Sequence, residues 1–204
     1  MKHTDTALIL IGYQNDFFSP SGILHSAIEK TESLYCVLAN TLSLITQLEQ
    51  THVSIVATPI AFSEDYRELD GDPVGVLKAI KETKAFQAGE WGSATIAALT
   101  GFGERIDYLH GKHGFNAFAN TYLGQYLNAK AIKNVIIAGA VTSICVESTA
   151  RAAAEQGFNV YILSDCTAAR TVIEQEFYCQ QIFPIYAQVI DHRNLLALLQ
   201  FANL

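Results

Sequence analysis

Apolar and polar positions follow two rhythms along this chain. Short β-type runs recur at Ala7–Ile11, Val53–Ala57, Arg105–Leu109, Val135–Ala138, Val160–Leu163 and Ala187–Ile190. Several are continuously apolar, as in parallel strands covered on both faces. Between them the apolar spacing changes to three and four. Leu34, Leu38, Thr41, Ile45 and Leu48 form one stripe and predict a helix over residues 30–50. Further helices are predicted near Val74–Lys81 and over Ser93–Leu99, Asn120–Asn128, Ser143–Gln156, Thr171–Ile182 and Arg193–Phe201. Pro59 stops the second strand, Gly139 ends the fourth, and Gly157 closes the alanine-rich helix. The rest of residues 60–92 reads as irregular. Strands alternating with helices imply an α/β fold, a mostly parallel sheet between two helical layers. No linker, repeat or low-complexity segment divides residues 1–204, so one domain is expected.

Composition narrows the function classes. Half of the 204 residues are hydrophobic and 16% are charged, which fits a well-packed globular chain. The net charge of −7 disfavours nucleic acid and anionic membranes, which need clustered Lys and Arg. No apolar run approaches the ~20 residues of a membrane-spanning helix. Met1–Asp5 leads into only a short apolar run and does not read as a signal peptide. Cys36, Cys145, Cys166 and Cys179 lie far apart with no CxxC pair. They read as thiols of a reducing, cytoplasmic compartment, not as a disulfide framework or zinc knuckle.

In parallel sheets, ligands bind beyond the carboxyl ends of the strands. After strand four comes Gly139-Ala140-Val141-Thr142-Ser143-Ile144-Cys145, a sharp turn with a cysteine in the first helical turn. Free amides and the helix dipole there favour a thiolate and could cradle an oxyanion. A small buried hydrophobe is the competing reading of Cys145, and it is the reading adopted for Cys36, Cys166 and Cys179. After strand three, Lys112 is placed to stabilise such an anion, or is a solvated loop lysine. His113 nearby titrates near neutral pH or simply bonds locally. After strand one, Gln14, Asn15 and Asp16 are the polar candidates. Asp16 is a possible base or a loop-bonding carboxylate. Trp91 walls a pocket or packs in the core, and Phe17, Phe115 and Thr142 are further pocket candidates.

These segments together resemble the isochorismatase-like cysteine hydrolase superfamily, whose members include nicotinamidases, N-carbamoyl amide hydrolases and isochorismatases. The resemblance is most specific at "AGAVTSICVESTARAA" (Ala138–Ala153) and clear at "GKHGFNAFANTYL" (Gly111–Leu123), with support from "ALILIGYQNDFF" and "GEWGS". It implies a six-stranded parallel sheet in a three-layer α/β/α sandwich, assembled as a homodimer or homotetramer. It also implies an Asp–Lys–Cys triad, of which the cysteine falls on Cys145 and the lysine on Lys112. A cis peptide is implied at Ala140–Val141, in the turn that would hold the oxyanion.

The family aspartate falls on Gly12, so the usual proton acceptor is missing. Asp16 matches the motif's second acid, which is not the usual base. The Asp-x-His zinc pair of nicotinamidases is absent from Ala57-Thr58-Pro59-Ile60-Ala61-Phe62-Ser63, so no metal and no other cofactor are expected. The resemblance therefore implies a hydrolase of a small amide, imide or ester. In it, a Cys145 thiolate supported by Lys112 would act without the base. Asp16, His113 or water would serve as proton donor. The alternatives are a binding or scaffold protein and a thiol redox sensor. On this reading, Gly12→Asp should restore hydrolysis.

Overall fold

The computed structural model describes residues 1–69 and 71–201. Its elements run, in chain order, β1 (Thr6–Ile11), α1 (Asn15–Phe18), α2 (Glu32–Leu48), β2 (Ser54–Thr58), α3 (Gly75–Thr83), α4 (Ala97–Thr100), β3 (Asp107–Tyr108), α5 (Leu123–Ala129), β4 (Asn134–Ala140), α6 (Glu147–Glu155), β5 (Asn159–Ala168), α7 (Val172–Phe177), β6 (Gln188–Ile190) and α8 (His192–Phe201). The six strands form one parallel sheet in the order β3-β2-β1-β4-β5-β6.

β1 is central and wholly buried, which explains its unbroken apolar sequence. Its side chains still alternate between faces. Leu8 and Leu10 pack with Leu34, Val37, Leu44, Ile45 and Leu48 of α2 and Leu195 of α8. Ala7, Ile9 and Ile11 pack with Leu123 and Leu127 of α5 and Val146, Ala150 and Ala153 around α6. Two cores on opposite faces make the expected α/β/α sandwich.

Four expected elements take a different form. The third strand shrinks to Asp107–Tyr108, because an edge strand has a single partner and Arg105 leaves it to cap carbonyls of Leu48 and Val53. Residues 93–99 are not one helix. Thr95 bridges Gln14 in extended form before the single turn α4. The helix expected from Ser143 opens instead with a wide π turn, Thr142–Val146, in which Val146 N–H reaches back to Val141 O (3.2 Å). β5 continues to Ala168, and its register against β4 shifts between Ile137 and Gly139. That shift lets the polar Ser164-Asp165-Cys166-Thr167 stretch remain in the sheet. Among the described residues, no helix is long and apolar enough to cross a membrane.

Candidate active site

The carboxyl ends of β1 and β4 and the loop after β3 converge on one pocket. Gly139, next to last in β4, has φ +131°, and any Cβ there would strike the Ile11 backbone. The two central strands therefore close together at this point. The Ala140–Val141 peptide that follows is cis. Ala140, Val141, Ile144 and Cys145 line the pocket together with Gly12, Phe17 and Phe86. The π turn brings Cys145, a buried residue, to the pocket wall.

Lys112 reaches the same pocket. Its main chain is held beside β2, bridging Ile60 and accepting from Ala61 N–H (3.2 Å). Its side chain is 1% exposed, and Nζ lies 3.7 Å from Cys145 Sγ. Among the described residues it forms no ion pair with a carboxylate. The pocket lining contains no Asp, Glu or His. Of the residues singled out from sequence, Cys145, Lys112, Gly12, Ala140, Val141, Phe17 and Phe115 thus meet here.

The others serve elsewhere. Gln14 is buried but clamps loops: Nε2 donates to Ile60 O (2.7 Å) and Ser93 O (2.6 Å), and Oε1 accepts from Ile60 N–H (2.9 Å). Thr142 Oγ1 donates to Gln175 Oε1 (2.6 Å). Trp91 is 54% exposed and borders a different groove with Lys84 and Gln87. His113 Nδ1 bonds Ala61 O (2.6 Å), and His113 is not in the lining.

Asp16 is 1% exposed, and its carboxylate accepts from Phe86 N–H (2.7 Å) and Ile23 N–H (3.3 Å). Gly92 packs so closely that a Cβ would collide with that carboxylate. A carboxylate held this way anchors the 85–92 segment and is not part of the Cys145 pocket. Removing it strands the buried Phe86 donor, worth about 1–3 kcal/mol, and frees the partly buried Ile23 donor, worth less. Asp16→Ala is therefore expected to lose roughly 2–4 kcal/mol in urea unfolding, with the alkylation rate of folded Cys145 within about twofold of wild type. A large fall in that rate with stability kept would return Asp16 to the chemistry.

Arg170 was not anticipated from sequence. Exposed beside the pocket, just before α7, it binds Glu174 in the first turn of that helix (2.9 Å). Burial pushes the Glu174 carboxyl up, but the hydrogen bonds from Arg170 outweigh it and hold the group below its ordinary value. The remaining cysteines differ from Cys145. Burial, with the Asp165 charge beside it, pushes the Cys166 thiol far up, and burial pushes Cys179 up to about 11. Cys36 is exposed.

Asp165, Cys166 and His192 bring potential metal-binding atoms within 4.8 Å of one another. Their present partners are internal, however. Asp165 accepts from His192 N–H (3.0 Å) and bonds His192 Nδ1 (2.5 Å), pinning α8 to β5.

Residues 6–194 match the isochorismatase domain model. The chain is 28% identical over 191 residues to the isochorismatase family protein YecD of Escherichia coli O157:H7, covering 94% of both chains. It is 26% identical over 173 residues to the ureidoacrylate amidohydrolase RutB of Methylobacterium radiotolerans. That match covers 79% of this chain and 66% of the relative, so the chain spans about two thirds of that protein. Among solved structures, an isochorismatase-like hydrolase from Alkaliphilus metalliredigens superposes with a TM-score of 0.78 at 22% identity, covering 95% of this chain and 98% of that one. The sheet, the turn after β4 and a domain match spanning nearly the whole sequence agree: this chain belongs to the isochorismatase family.

Proposed function

We propose that this protein hydrolyses a C–N bond of a small amide or carbamoyl compound through Cys145 as a thiolate, with Lys112 as its counter-ion. The observation that carries this reading is the isolation of Lys112. An ammonium at 1% exposure without a compensating anion costs several kcal/mol. The nearby acceptor is the sulfur at 3.7 Å. A thiolate there neutralises the pair, and the thiolate is the nucleophilic form of cysteine. In relatives of the ureidoacrylate amidohydrolase type the bond broken is that of an amide, which fits this chemistry.

The steps follow from the residues present. Cys145 Sγ attacks the carbonyl, and a bond to sulfur forms as the carbonyl π pair moves to oxygen. Amides at the start of the helical turn after β4 lack intrahelical acceptors and would stabilise that oxygen. The amine leaves with a proton from Lys112, the donor already beside the sulfur. Water then releases the acyl group as a carboxylate and the sulfur as thiolate; one proton returns to the Lys112 amine left neutral by the preceding step and the other goes to solvent, since the lining holds no Asp, Glu or His.

The pocket is narrow, with a cavity volume of about 60 Å³ and mainly apolar walls. Phe17, Phe86 and Phe115 would hold a compact, partly apolar substrate. Arg170 offers a guanidinium to a substrate carboxylate in exchange for Glu174. Ureidoacrylate is itself such an acid. Ammonia release from ureido acids and small primary amides is the direct assay. Turnover should disappear in step with alkylation of Cys145, followed by mass spectrometry of its peptide. Turnover that survives complete alkylation would sink the reading. For acid-bearing substrates, Arg170→Gln is expected to raise KM roughly 10–150-fold with kcat little changed, the loss of one charged hydrogen bond of about 1.5–3 kcal/mol. Equal KM values for both proteins would place the substrate's acid elsewhere.

A further inference from the structure

We infer that Asp165, Cys166 and His192 form a binding site for a zinc ion, separate from the Cys145 pocket, that ties the start of α8 to the end of β5. Each residue offers one ligand atom, and the three atoms lie within 4.8 Å of one another. A thiolate sulfur, an imidazole nitrogen and a carboxylate oxygen are donors that zinc accepts, at about 2.0–2.3 Å from the ion. On a tetrahedral ion such donors stand roughly 3.5 Å apart, so the cluster needs to draw in by about 1 Å at most. The sequence lacks the Asp-x-His zinc pair after β2, and this cluster lies instead at β5. Cys166 packs in the core with Leu195 of α8, whereas Cys145 belongs to the core on the opposite face of the sheet.

The backbone explains how these three donors meet. Neighbouring residues of a regular strand point to opposite faces, so Asp165 and Cys166 would not share an ion. The register of β5 removes that obstacle. Ile162 pairs with Ile137 and Thr167 with Gly139, so residues 163–166 of β5 stand against the single Ala138 of β4. A bulge re-aims side chains and recurs beside functional sites. Here it brings the Asp165 and Cys166 donors together where α8 begins at His192. The Asp165 carboxylate accepts from His192 N–H (3.0 Å), and its other oxygen faces His192 Nδ1 (2.5 Å). A pin between strand and helix needs only that pair. The bulge adds the sulfur, which a pin does not use.

The surroundings suit a divalent cation. On binding, zinc replaces the proton between Asp165 and His192, the ring carries its hydrogen on Nε2, and the thiol proton goes to solvent. Asp191 and Arg193 line one open groove with Asp165 and His192. With Cys166 as thiolate, three negative groups face the single guanidinium, an excess that a divalent ion neutralises. Asp191 is committed to Asn194, accepting from its N–H (2.8 Å) and its Nδ2–H (2.6 Å). It therefore acts as a nearby charge, and a water from the groove takes the fourth position. The sulfur and nitrogen donors select zinc over magnesium and calcium, which take oxygen.

The test uses the whole chain after alkylation of the folded protein with iodoacetamide, which blocks exposed Cys36 and the Cys145 nucleophile and spares fully buried Cys166. Mass spectrometry of the peptides verifies the pattern. Zinc is expected to bind at about one equivalent per chain and, at 100 times its Kd, to raise Tm by about 5–10 °C. Cobalt in its place should give the visible bands of a tetrahedral ion and the near-ultraviolet band of a cobalt–thiolate bond. Cys166→Ser and His192→Gln should each weaken zinc by more than the roughly 10–100-fold that changing an outer partner of a metal ligand costs. Wild type that retains no zinc, or cobalt that binds without the thiolate band, would overturn the site. A thiolate band or a zinc affinity unchanged in Cys166→Ser would also overturn it, because the ion would then lie elsewhere. The cobalt spectrum is read on wild type, so the result does not depend on a variant folding.

Discussion

Gly12→Asp is expected to lose stability and to gain no hydrolysis. The family aspartate belongs at this position, and on sequence alone its return should restore a missing proton acceptor. The backbone says otherwise. Gly12 has φ +72°, in the left-handed region, and its carbonyl accepts from Gln14 N–H (2.7 Å) in a tight turn. An L-residue there costs roughly 1–2 kcal/mol. Its Cβ would also lie 2.7 Å from Ala140 O and 3.4 Å from the Phe17 ring. Ala140 is fully buried at the end of β4, beside the turn that presents Cys145, so it cannot yield without moving the nucleophile. Overpacking of this kind adds roughly 1–3 kcal/mol. The expected total is about 2–5 kcal/mol, read as a lower urea midpoint, with ammonia release no higher than wild type. A variant with the wild-type midpoint and faster amide turnover would show that the turn adapts, and that position 12 still carries the family chemistry.

This case also marks where sequence reasoning runs out. The sheet was legible because β1 and β4 are buried on both faces, and such strands need unbroken apolar runs. The Cys145 turn was legible through its likeness to the family motif and because a Cβ at Gly139 would strike the Ile11 backbone, a requirement that fixes glycine there. Other features depend on partners distant in sequence. Asp16 could be assigned to the 85–92 segment only once Phe86 N–H was seen 2.7 Å from its carboxylate. Arg170 lies 25 positions beyond Cys145 and joins the pocket only because β5 runs on to Ala168 through a register shift that no hydrophobic alternation announces. Trp91 erred in the opposite direction: a large aromatic in a glycine-flanked loop suggests a pocket wall, yet it is half exposed over a separate groove.

Lys112→Met separates stability from reactivity more sharply than any other change. Unit charges 3.7 Å apart attract by about 4–5 kcal/mol at an effective dielectric of about 20, before the cost of burying them is subtracted. If about half survives that cost, the thiolate population and the stabilisation of the departing sulfur fall together. Alkylation of Cys145 at neutral pH and ammonia release should each drop about 30–70-fold. Exposed Cys36 provides an internal standard in the same digest, since its alkylation should not change. Stability should move the other way. When one member of a buried pair is deleted, the usual penalty comes from the orphaned charge, but Cys145 can take up a proton and become a neutral thiol. Methionine then fills the space of the lysine stem without a buried ammonium. The urea midpoint is expected to stay level or rise, as when buried ion pairs are replaced by apolar residues, a change worth up to about 1–4 kcal/mol. Lys112→Arg keeps the charge but cannot keep the geometry, because a planar guanidinium is larger than an ammonium and Lys112 is 1% exposed; it should lose stability and reactivity together. If Lys112→Met instead loses stability while Cys145 keeps its wild-type alkylation rate, the two side chains are not a charge pair, and the lysine is held there for packing alone.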